Sequence, residues 1–149
     1  MAMVMRGAIP GIDKWDAKIL ATDIDTAMVS TGAKGTYREG DVEKVPQPYR
    51  SFYQSLAGDQ VQMDEKLRRL IAFKQLNLLE SWPMKGPFDA IFCRNVVIYF
   101  DKPTKVKLFD RLADMLLPNG FLYIGHSENL HGVSNRFALV GRTVYQRIA

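Results

Sequence analysis

The chain has 149 residues, 47% of them hydrophobic and 24% charged, which suits one globular domain with its own core. Its net charge of +4 is mild and dispersed, so the charge pattern favours a solvated or docking surface over nucleic-acid binding. One cysteine excludes an internal disulfide and a thiolate metal cluster, and no stretch reaches the roughly 20 apolar residues of a membrane span. We therefore expect a cytoplasmic protein with no membrane insertion.

The first quarter of the chain predicts a helix, a strand and a second helix. Met1–Arg6 is compatible with a helix, and the apolar run at Lys18–Asp25 indicates a buried strand followed by a turn. Thr26–Ala33 then predicts a short helix that ends at Gly32 or Gly35.

The middle of the chain is more polar, and its regular structure is limited by Pro46 and Pro48. Alternation of side chains predicts a strand at Arg50–Leu56. A further strand is expected at Ile71–Leu79, running into a loop at Asn77.

The clearest strand is Phe88–Asn95, a continuous apolar run of the kind found inside a parallel sheet. Asp101 is the predicted N-cap of a helix with Pro103 in its first turn, and "PNG" at Pro118–Gly120 is expected to end that helix. Phe121–Gly125 predicts the next strand.

Two strands, Arg136–Val140 and Thr143–Ile148, are predicted to form a closing hairpin around "GR". Strands that alternate with helices, followed by a terminal hairpin, indicate an α/β fold with a mostly parallel sheet.

Polar residues collect where the predicted strands end, and the carboxyl ends of strands are where open α/β sheets bind ligands. The residues are Asp23 and Asp25, then Asn77, then Arg94 and Asn95, and finally the string "GHSENL" at Gly125–Leu130. This pattern predicts a ligand crevice.

Each of these residues also has a purely structural interpretation. Asp23 fits helix capping and ribose binding equally well, while Asp25 is the better cap. Arg94 suits a surface ion pair, and Tyr99 and His126 suit ordinary packing roles. The glycine-rich phosphate fingerprints of dinucleotide and nucleoside-triphosphate sites are absent, as is the nucleophile elbow of serine hydrolases.

Four strings in this order resemble the chemotaxis receptor methyltransferases, the CheR family: "ATDID", "NLLE", "GPFDAIFCRNVVIYFDK" and "GFLYIGHSENL". The similarity runs from about Trp15 to Arg147. It implies transfer of a methyl group from S-adenosyl-L-methionine to glutamate side chains of methyl-accepting chemoreceptors, with S-adenosyl-L-homocysteine as the product. It also implies a Rossmann-like methyltransferase sheet with a small antiparallel β-subdomain.

The resemblance also implies roles for individual residues. Asp23 would hold the ribose hydroxyls, and Asn77 and Leu78 would flank the adenine. Arg94 and Asn95 would line the cofactor crevice. Tyr99 would project towards the reacting methyl group as the catalytic-site residue, and no metal is implied.

The chain departs from the family pattern at its start. Family members begin with a small helical domain and a first strand that ends in a "GEEPYS"-type motif, and neither is found here. We therefore expect residues 1–149 to be a truncated catalytic domain with weak or undetectable cofactor binding and little activity. The implied strand order is 3-2-1-4-5-7-6 with strand 1 missing, so we expect the gap to close by altered pairing, by domain swapping or by an edge-to-edge homodimer.

The β-subdomain is predicted at about residues 49–72. In some family members it docks a receptor peptide by adding a strand. The turn "LAGDQ" is short here, which argues against peptide docking.

Two other functions compete with the methyltransferase interpretation. One is a non-catalytic module that binds a receptor or regulator and keeps a degenerate methyltransferase fold. The other is an unrelated nucleotide-dependent α/β enzyme, which the missing glycine fingerprint disfavours.

Overall fold

The computed structural model describes all residues, Met1–Ala149, and divides into two compact units. Unit 1 is Met1–Asn77 and unit 2 is Leu78–Ala149. The single truncated catalytic domain that the sequence predicted over 1–149 stays a prediction. No helix in either unit has the length and apolar character needed to cross a lipid bilayer.

Unit 1 combines a parallel strand pair with a separate antiparallel sheet. Its elements are α1 (Ala2–Ala8), β1 (Ile19–Asp23), α2 (Thr26–Lys34), β2 (Thr36–Arg38), α3 (Glu39–Val42), β3 (Tyr53–Leu56), β4 (Gln60–Met63), α4 (Glu65–Arg68) and β5 (Ile71–Gln75). β1 and β5 pair in parallel, and the antiparallel sheet has the order β2-β4-β3.

The helix predicted after the first strand is confirmed as α2. The carboxylate of Asp25 caps it by accepting a hydrogen bond from the Ala27 N–H at 2.7 Å. Gly35 ends it in the left-handed region at φ 66°, which glycine adopts without strain. Gly32 lies inside the helix instead, and a Cβ there would come within 2.3 Å of the Phe73 ring, so its role is to let the ring pack closely.

The antiparallel sheet of unit 1 begins before the predicted subdomain range of about 49–72. β2 lies at Thr36–Arg38 and pairs with β4, while Ile71 and Ala72 belong to the parallel pair. The strand predicted from Arg50 starts only at Tyr53. Gln47–Phe52 forms a 3-10 helix because Pro48 lies in its first turn, where the fixed φ of proline favours helical geometry.

Unit 2 is a four-stranded sheet with one long helix. Its elements are β6 (Phe88–Cys93), a 3-10 turn at Val97–Tyr99, α5 (Lys102–Met115), β7 (Leu116–Ile124), β8 (Phe137–Gly141) and β9 (Val144–Arg147). The sheet order is β6-β7-β9-β8, with β6 and β7 parallel and the other pairs antiparallel. The predicted closing hairpin is confirmed as β8 and β9.

Strand order within each unit agrees with the order expected from the family resemblance. β5-β1 corresponds to strands 3-2, and β6-β7-β9-β8 corresponds to strands 4-5-7-6. β1 and β6 each lie at an edge of their own sheet, so one side of each strand has unpaired backbone groups. The α/β class with parallel and antiparallel pairing is confirmed.

Helix α5 starts where the sequence predicts and ends earlier. The Asp101 carboxylate caps it by accepting from the Thr104 N–H at 2.9 Å. The predicted end at Pro118–Gly120 is wrong, because Leu116 already belongs to β7 and pairs with Phe88. Leu116 is 1% exposed. It is therefore buried at the position where the helical spacing of α5 expects an apolar residue, although its backbone is extended.

The core of unit 2 lies between α5 and one face of the sheet. Its buried members are Cys93, Val97, Leu108, Phe109, Leu112, Ala113, Leu116, Leu122, Ile124, Leu130, Phe137 and Tyr145. β6 was expected to be buried along its whole length, but only Phe88, Ile91 and Cys93 contact this core. Phe92 is 48% exposed and stacks on the Tyr123 ring at 4.2 Å between centroids.

Candidate functional site

Unit 1 places two of the predicted site residues close to strand ends. Asp23 is the last residue of β1, and Asn77 follows the end of β5 by two residues. Because β1 and β5 are parallel, with Asp23 opposite Gln75, both strands end at the same edge of the pair. The Leu76 N–H donates to the Asp23 carbonyl at 2.9 Å, so the chain leaving β5 is tied to the end of β1.

The two aspartates after β1 have different environments. Asp25 caps α2, as expected, whereas Oδ1 of Asp23 accepts only the backbone N–H of Asp25 at 2.9 Å. Asp23 is exposed and forms no salt bridge, so Oδ2 is available to hydrogen-bond donors. This carboxylate has the chemistry needed to accept two ribose hydroxyls, although its predicted role in ribose binding stays a prediction.

Unit 2 brings together the residues that follow β6 and β7. These strands are parallel neighbours, so Arg94 after β6 and His126 after β7 leave the sheet at the same edge. Nη2 of Arg94 lies 3.3 Å from Nδ1 of His126, and because guanidinium groups only donate, the imidazole nitrogen accepts. The surface ion pair considered for Arg94 is not formed.

The segment Arg94–Tyr99 connects β6 to the 3-10 turn, and its side chains differ sharply in burial. Asn95 adopts a left-handed backbone conformation at φ 59°, which asparagine tolerates better than most residues. Val97 is 2% exposed, whereas Tyr99 is 81% exposed. The packing interpretation of Tyr99 is therefore wrong, because its ring projects into solvent.

Leu78 lies at the start of unit 2 and packs, partly buried, against the core cluster. Its position depends on Arg111 of α5, which the sequence reasoning missed. The Arg111 guanidinium donates to the carbonyls of Leu78 at 3.1 Å and Glu80 at 2.6 Å, and it lies 3.9 Å from the centroid of the Trp82 ring. One cation thus holds the backbone of the Leu78–Glu80 segment.

Glu128 is a second functional candidate to which sequence reasoning gave no role. Its carboxylate accepts hydrogen bonds from the backbone N–H groups of Gly125, Asn95 and Val97. Gly125 permits this arrangement, because a Cβ there would lie 2.6 Å from Oδ1 of Asn95 and 2.7 Å from Oε2 of Glu128. The string "GHSEN" was the only sequence signal for this cluster.

Cys93 is the buried last residue of β6, two residues before Asn95. Burial, with a smaller contribution from the negative charge of Glu128, raises the pKa of the Cys93 thiol to about 11. The thiol is therefore protonated and a poor nucleophile at neutral pH. No group of three or more histidine, cysteine, aspartate or glutamate side chains is arranged to hold a metal ion.

The predicted residues are thus divided between the units. Asp23 and Asn77 belong to unit 1, and Leu78, Arg94, Asn95 and Tyr99 belong to unit 2. Two surface cavities of about 330 Å³ in unit 1 flank Arg68, and neither is lined by a predicted site residue.

Comparison with known proteins identifies relatives along almost the whole chain. Residues 1–146 match the family described as CheR methyltransferase, SAM binding domain. The chain is 42% identical over 151 residues to a probable chemotaxis protein methyltransferase of Rhizobium etli, covering 98% of this chain and 56% of that protein.

Two further relatives give the same result. Chemotaxis protein methyltransferase 2 of Pseudomonas aeruginosa is 43% identical over 133 residues, covering 86% of this chain and 48% of the relative. The chemotaxis protein methyltransferase of Escherichia coli is 39% identical over 144 residues, covering 93% and 49%.

The chain spans about half the length of the curated relatives it matches. S-adenosyl-L-methionine is the cofactor that the family description indicates, and the exposed carboxylate of Asp23 fits its ribose hydroxyls. The family match over nearly the full length agrees with the strand order inside each unit. The chain belongs to the CheR methyltransferase family, in its S-adenosyl-L-methionine-binding domain.

Proposed function

We propose that this chain contributes the cofactor-binding part of a protein-glutamate O-methyltransferase that acts on methyl-accepting chemoreceptors in the cytoplasm. The relatives are named chemotaxis protein methyltransferases, and the matched segment is their cofactor-binding domain. Membership of this family disfavours the unrelated nucleotide-dependent enzyme.

The observation that carries the proposal is the set of polar residues that follows the parallel strands in each unit. Asp23 ends β1 with an exposed carboxylate, and Arg94 and Asn95 follow β6. Ligands of open α/β sheets bind at such carboxyl ends. In a chain of this family, these positions favour S-adenosyl-L-methionine as the ligand.

Each predicted residue has a defined task in the proposal. Asp23 accepts hydrogen bonds from the ribose hydroxyls, Asn77 and Leu78 flank the adenine, and Arg94 and Asn95 line the crevice. Tyr99, with its ring in solvent, is the residue proposed to approach the reacting methyl group.

The chemistry asks little of the protein beyond positioning. The bound cofactor supplies an electrophilic methyl group, and the glutamate carboxylate that receives it is already ionised at neutral pH. The residues of this chain therefore need to orient the two groups and exclude water, and no general base is assigned.

The proposal is tested by amide NMR spectra of the chain during titration with S-adenosyl-L-homocysteine, which detects weak binding. We expect shifts at Asp23, Arg94 and Asn95, and a weaker response in Asp23→Ala. Asp16→Ala, an exposed aspartate outside the predicted site, is the matched control.

A folded chain that shows no shifts at millimolar ligand would contradict cofactor binding. That result would favour the alternative, a module that docks a receptor or regulator. Shifts confined to Arg68 and its neighbours would contradict the assigned site.

We also propose that copies of this chain associate through strand edges, by edge-to-edge pairing or domain swapping. The free edges of β1 and β6 support this proposal, because an unprotected edge pairs readily with another strand. Sedimentation over a range of concentrations should reveal a dimer, and a monomer at every concentration would contradict it.

A further inference from the structure

Three backbone N–H groups converge on the carboxylate of Glu128. The Gly125 N–H donates to Oε2 at 2.5 Å, the Asn95 N–H donates to the same oxygen at 3.4 Å, and the Val97 N–H donates to Oε1 at 3.2 Å. Both carboxylate oxygens are used, so one side chain joins the end of β7 to the segment that follows β6.

A local turn explains only one of these bonds. The Glu128 N–H donates to the Gly125 carbonyl at 3.1 Å, which closes a tight turn, and the bond from the Gly125 N–H stays within that turn. The other two donors are 33 and 31 residues away in sequence. They belong to a different strand end, so stabilising the turn does not account for them.

The bonded segment is held in part by its own 3-10 turn and by the buried Val97 side chain, but two of its N–H groups depend on Glu128. Asn95 lies in the left-handed region, and Val97 begins the 3-10 turn with its side chain buried in the core. The Asn95 and Val97 N–H groups have no backbone acceptor. Removal of the carboxylate would leave both N–H groups without this acceptor, and the loss should cost more at Val97, whose bond is partly buried, than at the exposed Asn95.

The same segment carries the side chains assigned to the cofactor and the methyl group. Arg94 precedes the first bonded N–H, and Tyr99 lies two residues after the second. The Phe100 N–H donates to the Val97 carbonyl at 3.1 Å, so the backbone at Val97 sets the turn from which Tyr99 projects.

We propose that Glu128 is a positioning residue that fixes the segment Arg94–Tyr99 in its binding conformation. The identity of the ligand that the segment binds rests on the proposed function. The role of Glu128 in fixing the backbone does not rest on it, so ligand binding and backbone order are measured separately.

The first measurement is amide hydrogen exchange of the chain without ligand. In Glu128→Ala we expect exchange at Val97 to accelerate roughly tenfold or more, because a hydrogen bond to a charged acceptor is lost. Exchange at Leu122 and Ile124 should stay slow, which reports an intact core. Ser127→Ala, which removes an exposed neighbouring hydroxyl, is the matched control and should behave as wild type.

Glu128→Gln supplies a variant of nearly the same shape that keeps the fold if Glu128→Ala fails to. Its side chain has one carbonyl oxygen and one NH₂ group, so it cannot accept from both sides. We expect the amides of Gly125 and Val97 to respond differently: one resonance should stay close to its wild-type position and the other should shift. Wild-type resonances and exchange at both amides would overturn the proposal.

The second measurement is the titration with S-adenosyl-L-homocysteine. The proposal expects the response at Arg94 and Asn95 to weaken in Glu128→Gln while the response at Asp23 persists. Faster exchange at Val97 with an unchanged response at Arg94 would overturn the positioning role and leave the proposed function intact. No response in wild type would contradict the proposed function, and exchange at Val97 would still decide whether Glu128 fixes the segment.

Discussion

The two units of this protein differ in how their side chains are packed. Unit 2 has twelve buried apolar side chains in one connected cluster between α5 and the sheet. The buried apolar side chains of unit 1 number six and are spread over separate elements: Ala2, Ile12, Val42, Val61, Leu67 and Leu70. None of them belongs to β1, α2 or β5, the elements nearest to Asp23.

This difference in packing indicates that burial contributes unequally to the stability of the two units. Parallel strands are usually covered on both faces, and a sheet of two strands has little stability of its own. β1 and β5 contain only exposed or partly buried side chains, so we expect burial to stabilise them less than it stabilises the strands of unit 2. Unit 2 holds its predicted site residues on a packed core, and we expect it to dominate the stability of the chain.

The largest expected effect is the difference in free energy of unfolding between the same leucine-to-alanine substitution made in each unit. Leu122→Ala removes a side chain with 0% exposure and should lower the free energy of unfolding by about 2–5 kcal/mol. Leu20→Ala, in the partly buried β1, should cost only about 1 kcal/mol. Urea denaturation, with hydrogen exchange monitored in β1 and β7, measures both. Equal costs would remove the distinction between the units.

The second prediction concerns alkaline pH. The folded pKa of Cys93 is about 11 and its ordinary value is 9.0, so between these values the native thiol keeps a proton that the unfolded chain has lost. The free energy of unfolding should therefore be unaffected below pH 9 and fall by about 1.4 kcal/mol per pH unit between 9 and 11.

The measurement for Cys93 is urea denaturation at several pH values, read as the difference between wild type and Cys93→Ala. The subtraction removes the titration of lysines and tyrosines. Parallel curves for the two proteins would mean that the thiol is not buried in unit 2 as described.

A third prediction tests whether a charged side chain anchors the start of unit 2. Arg111→Ala removes two hydrogen bonds to backbone carbonyls and a contact with Trp82, and should weaken the local structure by about 1–2 kcal/mol. Faster amide exchange over residues 78–82 and a change in Trp82 fluorescence are expected. Arg111→Lys keeps the charge and should give an intermediate result.

The smallest expected effect lies in unit 1. Asp25→Ala removes the α2 cap and should cost about 1 kcal/mol, comparable with Leu20→Ala in the same unit. Asp25→Asn keeps an oxygen acceptor and should remain close to wild type. A negligible effect of Asp25→Ala on hydrogen exchange in α2 would show that packing, rather than local capping, holds this helix.

Much of the fold was predictable because the signals are local. The apolar runs at Lys18–Asp25 and Phe88–Asn95 predicted β1 and β6, and the caps at Asp25 and Asp101 predicted where α2 and α5 begin. The end of α5 was not predictable from spacing, because Leu116 is buried equally well as a helical or an extended residue. Its pairing with Phe88, 28 residues earlier, decides the outcome.

The candidate site divides in the same way. The sequence by itself determined which residues follow the strands, and therefore placed Asp23, Arg94 and Asn95 at carboxyl ends. Only the tertiary structure decided what holds them, because Glu128 and Arg111 act on segments about 30 residues away in the chain. Sequence patterns report periodicity within one element, whereas these contacts exist only after separate elements have packed together.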